Sequence, residues 1–413
     1  MASKEIQEKI NYLSRGTEQI ITREDLAWKL EKSERENRSM IVKYGVDPTA
    51  PDIHLGHLVP IKKLKHFQDI GHEITFLIGD FTGRIGDPSG KSSGRKAMTE
   101  EEVLKNANTY KEQIFKVLDA EKTNIVYNSS WLKNMHLEET VKLLSKNSVN
   151  NLIKRKSFSK RFGKGETVSG HELIYPFLQA YDSVALNADI ELGGTDQYFN
   201  LIFGRDLQPK YGQEPQVVIT TPLLEGLDGN EKMSKSLGNT VGIDENPFDM
   251  YRKIMKLKDN LIIKYFTLLT DVDELEIGHL EMDMKQNRAH PKDVKKRLAK
   301  TITTYLHSEQ KANEAEKEFE KVYRQGKLPE NIRDVCVEYD NSNNGKLTPI
   351  QIIRLCDLAS NNGEARSIVK QRGFSIDSAI IEDPKKEISL YNNMVVKVGK
   401  EKYVRLNYKK NES

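Results

Sequence analysis

Five short apolar runs recur before residue 225, each set off by charged or turn-forming residues. They are "IVKYGVDP" (41–48), "EITFLIGDFT" (73–82), "NIVYNSS" (124–130), "ADIELGG" (188–194) and "QVVITTPLL" (216–224). Several are dense in Ile, Val and Leu, as strands buried on both faces are. Residues 55–70, between the first two runs, carry apolar positions at helical spacing with lysines on the other side. Strands of this kind alternating with helices predict a parallel sheet built from βαβ units.

Beyond residue 246 the pattern is helical only, in "PFDMYRKIMKLKDNLIIKYFTLLT" and "HPKDVKKRLAKTITTYLHSEQKANEAEKEFEKVYR". The stretch "GKLPENIRDVCVEYDNSNNGK" is polar and turn-rich and reads as a linker. A last small unit ends in "MVVKVGKEKYVRL", which alternates like a strand. A chain of 413 residues has room for two or three domains. The expected division is 1–245 with a connective insertion at about 100–170, then 246–335, then 345–413.

Some classes of protein are set aside by composition. No run of about eighteen apolar residues is present, so no membrane-spanning helix is expected. The formal net charge is only +3, so binding to nucleic acid would have to rest on local basic clusters. The opening "MASKEIQEKINYLSRG" is charged where a signal peptide is apolar. Cys336 and Cys356 make no disulfide framework and match no metal-ligand spacing, so a reducing, cytoplasmic location is expected and no metal site.

The loop "RIGDPSGKSS" (84–93) imitates a phosphate-binding G-x-x-x-x-G-K-[ST] loop, but the first glycine would fall at Ile85. Two other motifs carry more. In "DPTAPDIHLGHL" (47–58), Pro48 and Pro51 force an extended turn after a strand. His54 and His57 then open a helix with Gly56 between them, where imidazole N–H groups can meet phosphate oxygens and a flat ring can lie on bare backbone. In "EKMSKSLGN" (231–239), Lys232 and Lys235 with Ser234 and Ser236 follow the turn signal "LDGN", and flexible lysines suit a departing polyphosphate. Taken singly, the first motif could be surface histidines capping a helix and the second a solvated turn. Residues 169–182, "SGHELIYPFLQAYD", begin a helix with a capping box at Ser169 and Glu172. Tyr175, Gln179 and Asp182 then share one face of it, and Pro176 is positioned to kink it.

H-L-G-H after the first strand and K-M-S-K-S after the last together resemble the paired signatures of class I aminoacyl-tRNA synthetases. "YGVDPTAPDIHLGH", "GDFTGRIGDPSG", "YPFLQAYD", "ELGGTDQYFNL" and "LLEGLDGNEKMSKS" resemble, in order, the blocks of bacterial-type tyrosyl-tRNA synthetases. The resemblance implies a Rossmann-like α/β catalytic domain, an α-helical anticodon-binding domain and a small α+β RNA-binding domain. It implies a tyrosine pocket formed by Tyr44, Asp47, Thr82, Asp87, Tyr175, Gln179, Asp182, Glu191 and Gln197. In it Asp182 accepts the phenol hydrogen bond, and Asp87, Tyr175 and Gln179 hold the ammonium. Gly194 and Asp196 face the ribose of ATP, Gln197 the carboxylate or carbonyl. His54, Gly56, His57, Lys232, Met233, Ser234 and Lys235 serve ATP; Thr49, Lys91 and Arg95 are placed near its phosphates.

Two departures mark the phenol end. Lys43 stands where the better-studied branch has tyrosine, and Glu191 where that branch has glutamine. The tail, with Arg366, Lys370 and Arg372 at helical spacing, resembles the RNA-binding domain named after small-subunit ribosomal protein four, with its usual core replaced by "FSIDSAII". The resemblance implies L-tyrosine, ATP carrying Mg²⁺ and a tRNA for tyrosine as partners, and a homodimer. Three other readings stand beside it: a tryptophanyl-tRNA synthetase, a P-loop hydrolase, and an RNA-binding accessory protein on a synthetase body.

Overall fold

A computed structural model describes residues 3–48, 51–87, 98–153, 155–325, 332–338, 345–399 and 402–409. The chain forms two compact units, one ending at Glu316 and the other beginning at Lys317.

A six-stranded sheet organises the first unit: β1 (Gln19–Ile21), β2 (Ile41–Val46), β3 (Glu73–Ile78), β4 (Thr123–Tyr127), β5 (Ile190–Gly194) and β6 (Val217–Thr221), in the order β1-β6-β5-β2-β3-β4. β2 to β6 are parallel. All five expected strands are present. β1, which the sequence reading missed, pairs antiparallel on the edge of β6. Three residues are too few to display a period.

Helices α1 (Lys4–Ser14) and α2 (Arg23–Glu36) precede β2; α3 (Leu55–Asp69) joins β2 to β3, and α4 (Glu100–Ile114) lies between β3 and β4. Then come α5 (Ser129–Leu132), α6 (Leu137–Ser145), α7 (Val149–Ile153) and α8 (Lys156–Gly163), followed by α9 (Gly170–Leu186) and α10 (Tyr198–Leu207). The stretch read as a connective insertion thus contributes an edge strand, β4, to the sheet. Val42, Ile74, Phe76, Ile190, Leu192, Val217 and Ile219 are buried, as strands covered on both faces require. The chain crosses from β4 at one edge to β5 beside β2. That reversal opens a crevice at the carboxyl ends of β2 and β5, where open α/β sheets bind ligands.

Local chemistry sets the helices that flank the crevice. Ser169 N–H donates to Glu172 Oε1 at 2.9 Å, the expected capping box of α9. The helix runs on through Pro176 and ends at Asn187, whose φ of 49° is left-handed. Helices α11 (Pro247–Met255), α12 (Ile262–Leu269), α13 (Glu274–Lys285), α14 (Pro291–Leu306) and α15 (Glu309–Gln325) follow the sheet. Of these, α12 packs on α3. Lys62 of α3 reaches Asp271 at 2.7 Å and lies 4.1 Å from the Tyr305 ring centre. Residues 247–306 therefore belong to the same compact unit as the sheet.

The second unit holds β7 (Arg333–Glu338), β8 (Lys346–Leu347), α16 (Pro349–Leu355), α17 (Asn362–Lys370), β9 (Phe374–Ile376), β10 (Ala379–Ile380), β11 (Ile388–Ser389), β12 (Met394–Val398) and β13 (Lys402–Lys409). Its main sheet runs β10-β9-β12-β13-β7. Two expectations change here. The polar stretch read as a linker contains β7, which pairs parallel with β13; only Val337 of it is fully buried, so the apolar signal is thin. "MVVKVGKEKYVRL" is a hairpin of two strands, with Gly399 at φ 63° beginning the turn. In "FSIDSAII", Asp377 (φ 46°) and Ser378 (φ 72°) form a two-residue left-handed turn between β9 and β10, the geometry favoured in tight hairpins.

Asp189, just before β5, joins the start of β2 to its neighbours. It accepts from both Arg38 terminal nitrogens at 2.9 Å each, from Ile41 N–H at 2.9 Å and from Lys29 at 3.5 Å. Burial opposes its charge, but Arg38 and these other donors hold its carboxyl below the usual range. Its contribution to stability is therefore present above pH about 4 and lost as pH falls below that. Asp189→Asn is expected to cost about 2 kcal/mol at pH 7, less than a fully buried pair because Arg38 is partly exposed. Urea unfolding checks this, and the gap from the parent protein should shrink toward pH 3.

Candidate active site

The N-terminus of α3 is closed by its own histidines. His54 Nδ1 accepts the Gly56 N–H at 3.1 Å, and His57 Nδ1 accepts the His54 N–H at 3.4 Å. The ring centres lie 4.0 Å apart. Burial lowers the His54 pKa to about 2, helped by His57 and Lys235; burial and then Lys235 lower that of His57 to about 4. Both rings are neutral at pH 7. With each Nδ1 accepting, the proton sits on Nε2, so each ring presents one N–H donor.

The lysine loop is fastened directly onto this helix start. Leu55 N–H donates to the Val241 carbonyl at 2.9 Å and Ile243 N–H to the Ile53 carbonyl at 3.0 Å. Met233 is buried, and a Cβ added to Gly56 would lie 3.5 Å from its Cβ and 3.0 Å from the His54 ring. Asn239 organises the loop: it accepts from Ser234 N–H at 2.8 Å and donates to Asp228 at 3.0 Å and to the Lys232 carbonyl at 3.2 Å. Lys232 pairs with Asp196 at 2.9 Å and Lys235 with Asp52 at 2.6 Å. A Cβ on Gly194 would come within 2.7 Å of Asp196 Oδ1, so that carboxylate needs a glycine beside it.

Deeper in the crevice, the shared face of α9 feeds two hydrogen-bonded chains. In one, Tyr175 donates to Asp47 Oδ2 at 2.8 Å and Thr82 to Asp47 Oδ1 at 2.8 Å. Asn128 donates to Thr82 at 2.9 Å and to Asp182 Oδ2 at 3.3 Å, and Trp131 Nε1 donates to Asp182 Oδ1 at 2.8 Å. In the other, Asn200 donates to Gln179 Oε1 at 2.8 Å and to Gln197 Oε1 at 3.1 Å, while Gln197 donates to Asp87 Oδ2 at 2.6 Å. Arg155 approaches Asp87 Oδ1 at 3.4 Å, and its buried Nη1 finds no hydrogen-bond partner among the described residues. Gly86, at φ 90°, turns the chain into Asp87. Burial pushes the Asp182 pKa up to about 7, against the pull of Lys43, Trp131 and Asn128.

Asp47, Thr82, Asp87, Tyr175, Gln179, Asp182 and Gln197 are thus brought together. Glu191 is engaged elsewhere, by Lys43 at 2.8 Å. Tyr44 alternates with Lys43 along β2 and so lies on the other face of the sheet, packed edge-on against Phe76 with ring centres 5.7 Å apart. Thr49, Lys91 and Arg95 lie outside the described residues. Sequence reading missed Asn128, Trp131 and Arg155, which no motif marks, Asn200, which lies inside "ELGGTDQYFNL", and Gly79. A side chain at Gly79 would overlap the Asp47 carboxylate and the Thr82 hydroxyl, and its place in "LIGDFTG" was the available signal. In the second unit, Arg366 and Lys370 are exposed on one face of α17, and Arg372 pairs with Glu382 at 2.9 Å.

A parallel sheet with its reversal at β2 and β5, and the two joined motifs at its carboxyl edge, define the class I aminoacyl-tRNA synthetase fold. The chain belongs to the family of tRNA synthetases class I (W and Y), whose sequence model matches residues 35–324. It is 46% identical to the tyrosine–tRNA ligase of Desulfotalea psychrophila, over 97% of this chain and 98% of that one. It is 45% identical to the tyrosine–tRNA ligase of Moorella thermoacetica, over 98% and 96%. Among solved structures, the C-terminally truncated mitochondrial tyrosyl-tRNA synthetase of Aspergillus nidulans shares the fold at TM-score 0.64, 21% identity, 78% of this chain and 95% of that one. The tyrosyl-tRNA synthetase of Archaeoglobus fulgidus complexed with L-tyrosine matches at TM-score 0.60, 25% identity, 75% and 99%.

The setting of the two signature histidines, His54 buried and His57 half-buried, has a direct consequence. Their NMR ring signals should stay constant from pH 8 down to pH 5.5, both rings being neutral throughout. A midpoint above pH 6 at either residue would contradict the geometry.

Proposed function

We propose that this chain activates L-tyrosine with ATP and passes the tyrosyl group to the 3′ end of a tRNA for tyrosine. The observation that carries the reading is Asp182. It is a buried carboxylate held by Trp131 and Asn128, on the same helix face as Tyr175 and Gln179 and in the crevice beside the joined histidine and lysine motifs.

The phenol hydroxyl donates to Asp182. The ammonium binds Asp87, Gln179 and the oxygen of Tyr175, whose proton is committed to Asp47. Gln197 turns toward the carboxylate. ATP enters as its magnesium complex, with the adenine against Gly56, the ribose at Gly194 and Asp196, and the phosphates at the Nε2–H groups of His54 and His57. A carboxylate oxygen of tyrosine forms the new bond to the α-phosphorus as the bond to the β-phosphate oxygen breaks. Tyrosyl-adenylate and pyrophosphate result. No general base is needed, because the nucleophile is already ionised at pH 7. The rate comes from alignment and from donors aimed at developing phosphate charge. Lys232 and Lys235 exchange Asp196 and Asp52 for the departing pyrophosphate. A terminal ribose hydroxyl of the tRNA then attacks the carbonyl carbon and AMP leaves.

Helices in 246–335 are assigned to the anticodon. The second unit, through Arg366, Lys370 and Arg372, is assigned to RNA phosphates, with the salt dependence such contacts carry. Leu137, Val141 and Phe162, exposed apolar side chains on α6 and α8, support a homodimer formed through this helical stretch. None of the helices among the described residues is long and apolar enough to cross a membrane. Free Cys336 and Cys356 support a place in the cytoplasm.

ATP–pyrophosphate exchange should proceed with tyrosine and with none of the other standard amino acids. Exchange driven by tryptophan, or nucleotide hydrolysis independent of any amino acid, would replace this reading. His57→Ala is expected to lower kcat by about 10²-fold with little change in tyrosine binding, as loss of a transition-state donor does.

Asp182→Asn tests the phenol end. Tyrosine-specific synthetases are themselves the standard example of hydroxyl recognition, rejecting phenylalanine about 10⁵-fold without editing. The variant should lose at least tenfold of that selectivity, measured as the ratio of kcat/KM for the two amino acids. In the parent enzyme tyrosine affinity should weaken as pH falls through 7, because the protonated carboxyl is the poorer acceptor.

A further inference from the structure

Behind the substrate-facing side of α9 lies a second polar centre that none of the proposed steps uses. Lys43 on β2 and Glu191 on β5 stand opposite each other in the strand register, and both are fully buried. Lys43 Nζ donates to Glu191 Oε1 at 2.8 Å, to Ser183 Oγ at 2.7 Å and to the Gln179 carbonyl at 3.2 Å, a full set for an ammonium. Glu191 Oε2 accepts from Ser183 at 3.0 Å and from the Gln216 amide. Helix α10 passes so close that a Cβ on Gly204 would meet Gln216 Nε2 at 2.9 Å and Glu191 Oε2 at 3.3 Å.

A buried ion pair is a poor way to stabilise a core, since apolar side chains of similar size are often as stable or more so. Its place in the fold suggests a different use. Gln179 and Ser183 bracket Asp182 on α9, and Lys43 holds both. We propose that Lys43 and Glu191 are positioning residues for amino-acid selection. They fix the turn of α9 that carries Gln179 and Asp182 against β2 and β5, so that the Asp182 carboxylate is in place for the tyrosine hydroxyl. This inference rests on the assignment of Asp182 to the phenol.

The pair also acts on Asp182 electrostatically. Lys43 from β2 favours its ionised form, Glu191 from β5 and burial disfavour it, and Trp131 and Asn128 from the segment after β4 hydrogen-bond its charged form. Tyr175, its titratable neighbour on α9, is kept protonated by burial and by the nearby Asp47 and Asp87. Lys43 is the stronger influence of the pair, so removing both charges moves Asp182 further up.

The test is ATP–pyrophosphate exchange on the full-length enzyme carrying Lys43→Met and Glu191→Met together, which leaves no unpaired buried charge. The KM for tyrosine should rise about tenfold, with kcat and the KM for ATP within about twofold of the parent. Selectivity over phenylalanine should fall about tenfold, and the acid limb of the tyrosine profile should shift to higher pH. If these stay at parental values while Asp182→Asn is impaired, the positioning role is overturned and the phenol assignment stands. If Asp182→Asn itself keeps full selectivity, the phenol assignment fails and this inference with it. Equal losses toward tyrosine and ATP overturn it in favour of a scaffold role. Should the double variant not fold, Ser183→Ala keeps both charges and removes their shared hydroxyl; a tyrosine KM raised about threefold supports the role, and an unchanged KM overturns it.

Discussion

Two backbone hydrogen bonds hold together what the sequence keeps almost two hundred residues apart. Leu55 N–H on the Val241 carbonyl and Ile243 N–H on the Ile53 carbonyl lash the start of α3 to the chain leaving the lysine loop. With them in place, Met233 covers Gly56 and the charged ends of Lys232 and Lys235 stand around the two histidines. The same contact buries His54 and partly shields His57, and this loss of solvation, with Lys235 nearby, keeps both rings neutral. A neutral imidazole beside two lysines avoids like-charge repulsion and still has one N–H to donate. Burial, tautomer and electrostatics all follow from that one junction.

The amino-acid end obeys a different constraint. Asp47, Asp87 and Asp182 crowd a partly dehydrated crevice, where an unpaired carboxylate is costly. Each is matched to particular donors: Tyr175 and Thr82 for Asp47, Gln197 and Arg155 for Asp87, Trp131 and Asn128 for Asp182. In the proposed binding mode, substrate groups would enter a network whose acceptors are already aimed. Preorganisation of this kind reduces the ordering that binding must impose. Under the proposed phenol assignment it would also make selection sharp, because an amino acid without the hydroxyl would leave Asp182 short of a partner.

How much of this was legible depended on whether a residue's role is local. The central strands were readable because strands covered on both faces are continuously apolar, and α9 because Ser169 and Glu172 announce its start. β1 and β7 escaped notice: one is three residues long, and the other buries little more than Val337. At the site, Asp87, Tyr175, Gln179 and Asp182 stood inside motifs. Trp131 and Asn128 did not, since their importance arises only when the segment after β4 reaches α9. Lys43 and Glu191 could be noticed as unusual residues, yet their pairing depends on the register between β2 and β5, which no local pattern encodes. Gly79 opens the block "GDFTGRIGDPSG", but the reason for its small size, the Asp47 carboxylate at the neighbouring strand's end, is not local.

The lysine loop also shows why a weak contact can be the useful one. Lys232–Asp196 and Lys235–Asp52 are short pairs, but their side chains remain between about a third and three-fifths exposed. Pairs of that kind contribute roughly 0–1 kcal/mol, because water and side-chain entropy offset most of the attraction. A polyphosphate offers each ammonium more charge and more acceptor oxygens than one carboxylate does. Exchanging the partner would therefore cost little, and under the proposed assignment the gain would fall where negative charge builds up during the reaction. Had these lysines been buried in tight pairs like Lys43 and Glu191, breaking them would have cost several kcal/mol and opposed the step proposed for them. Exposure at the lysine loop and burial beneath α9 are thus two settings of one interaction, the first suited to exchange and the second to holding a position.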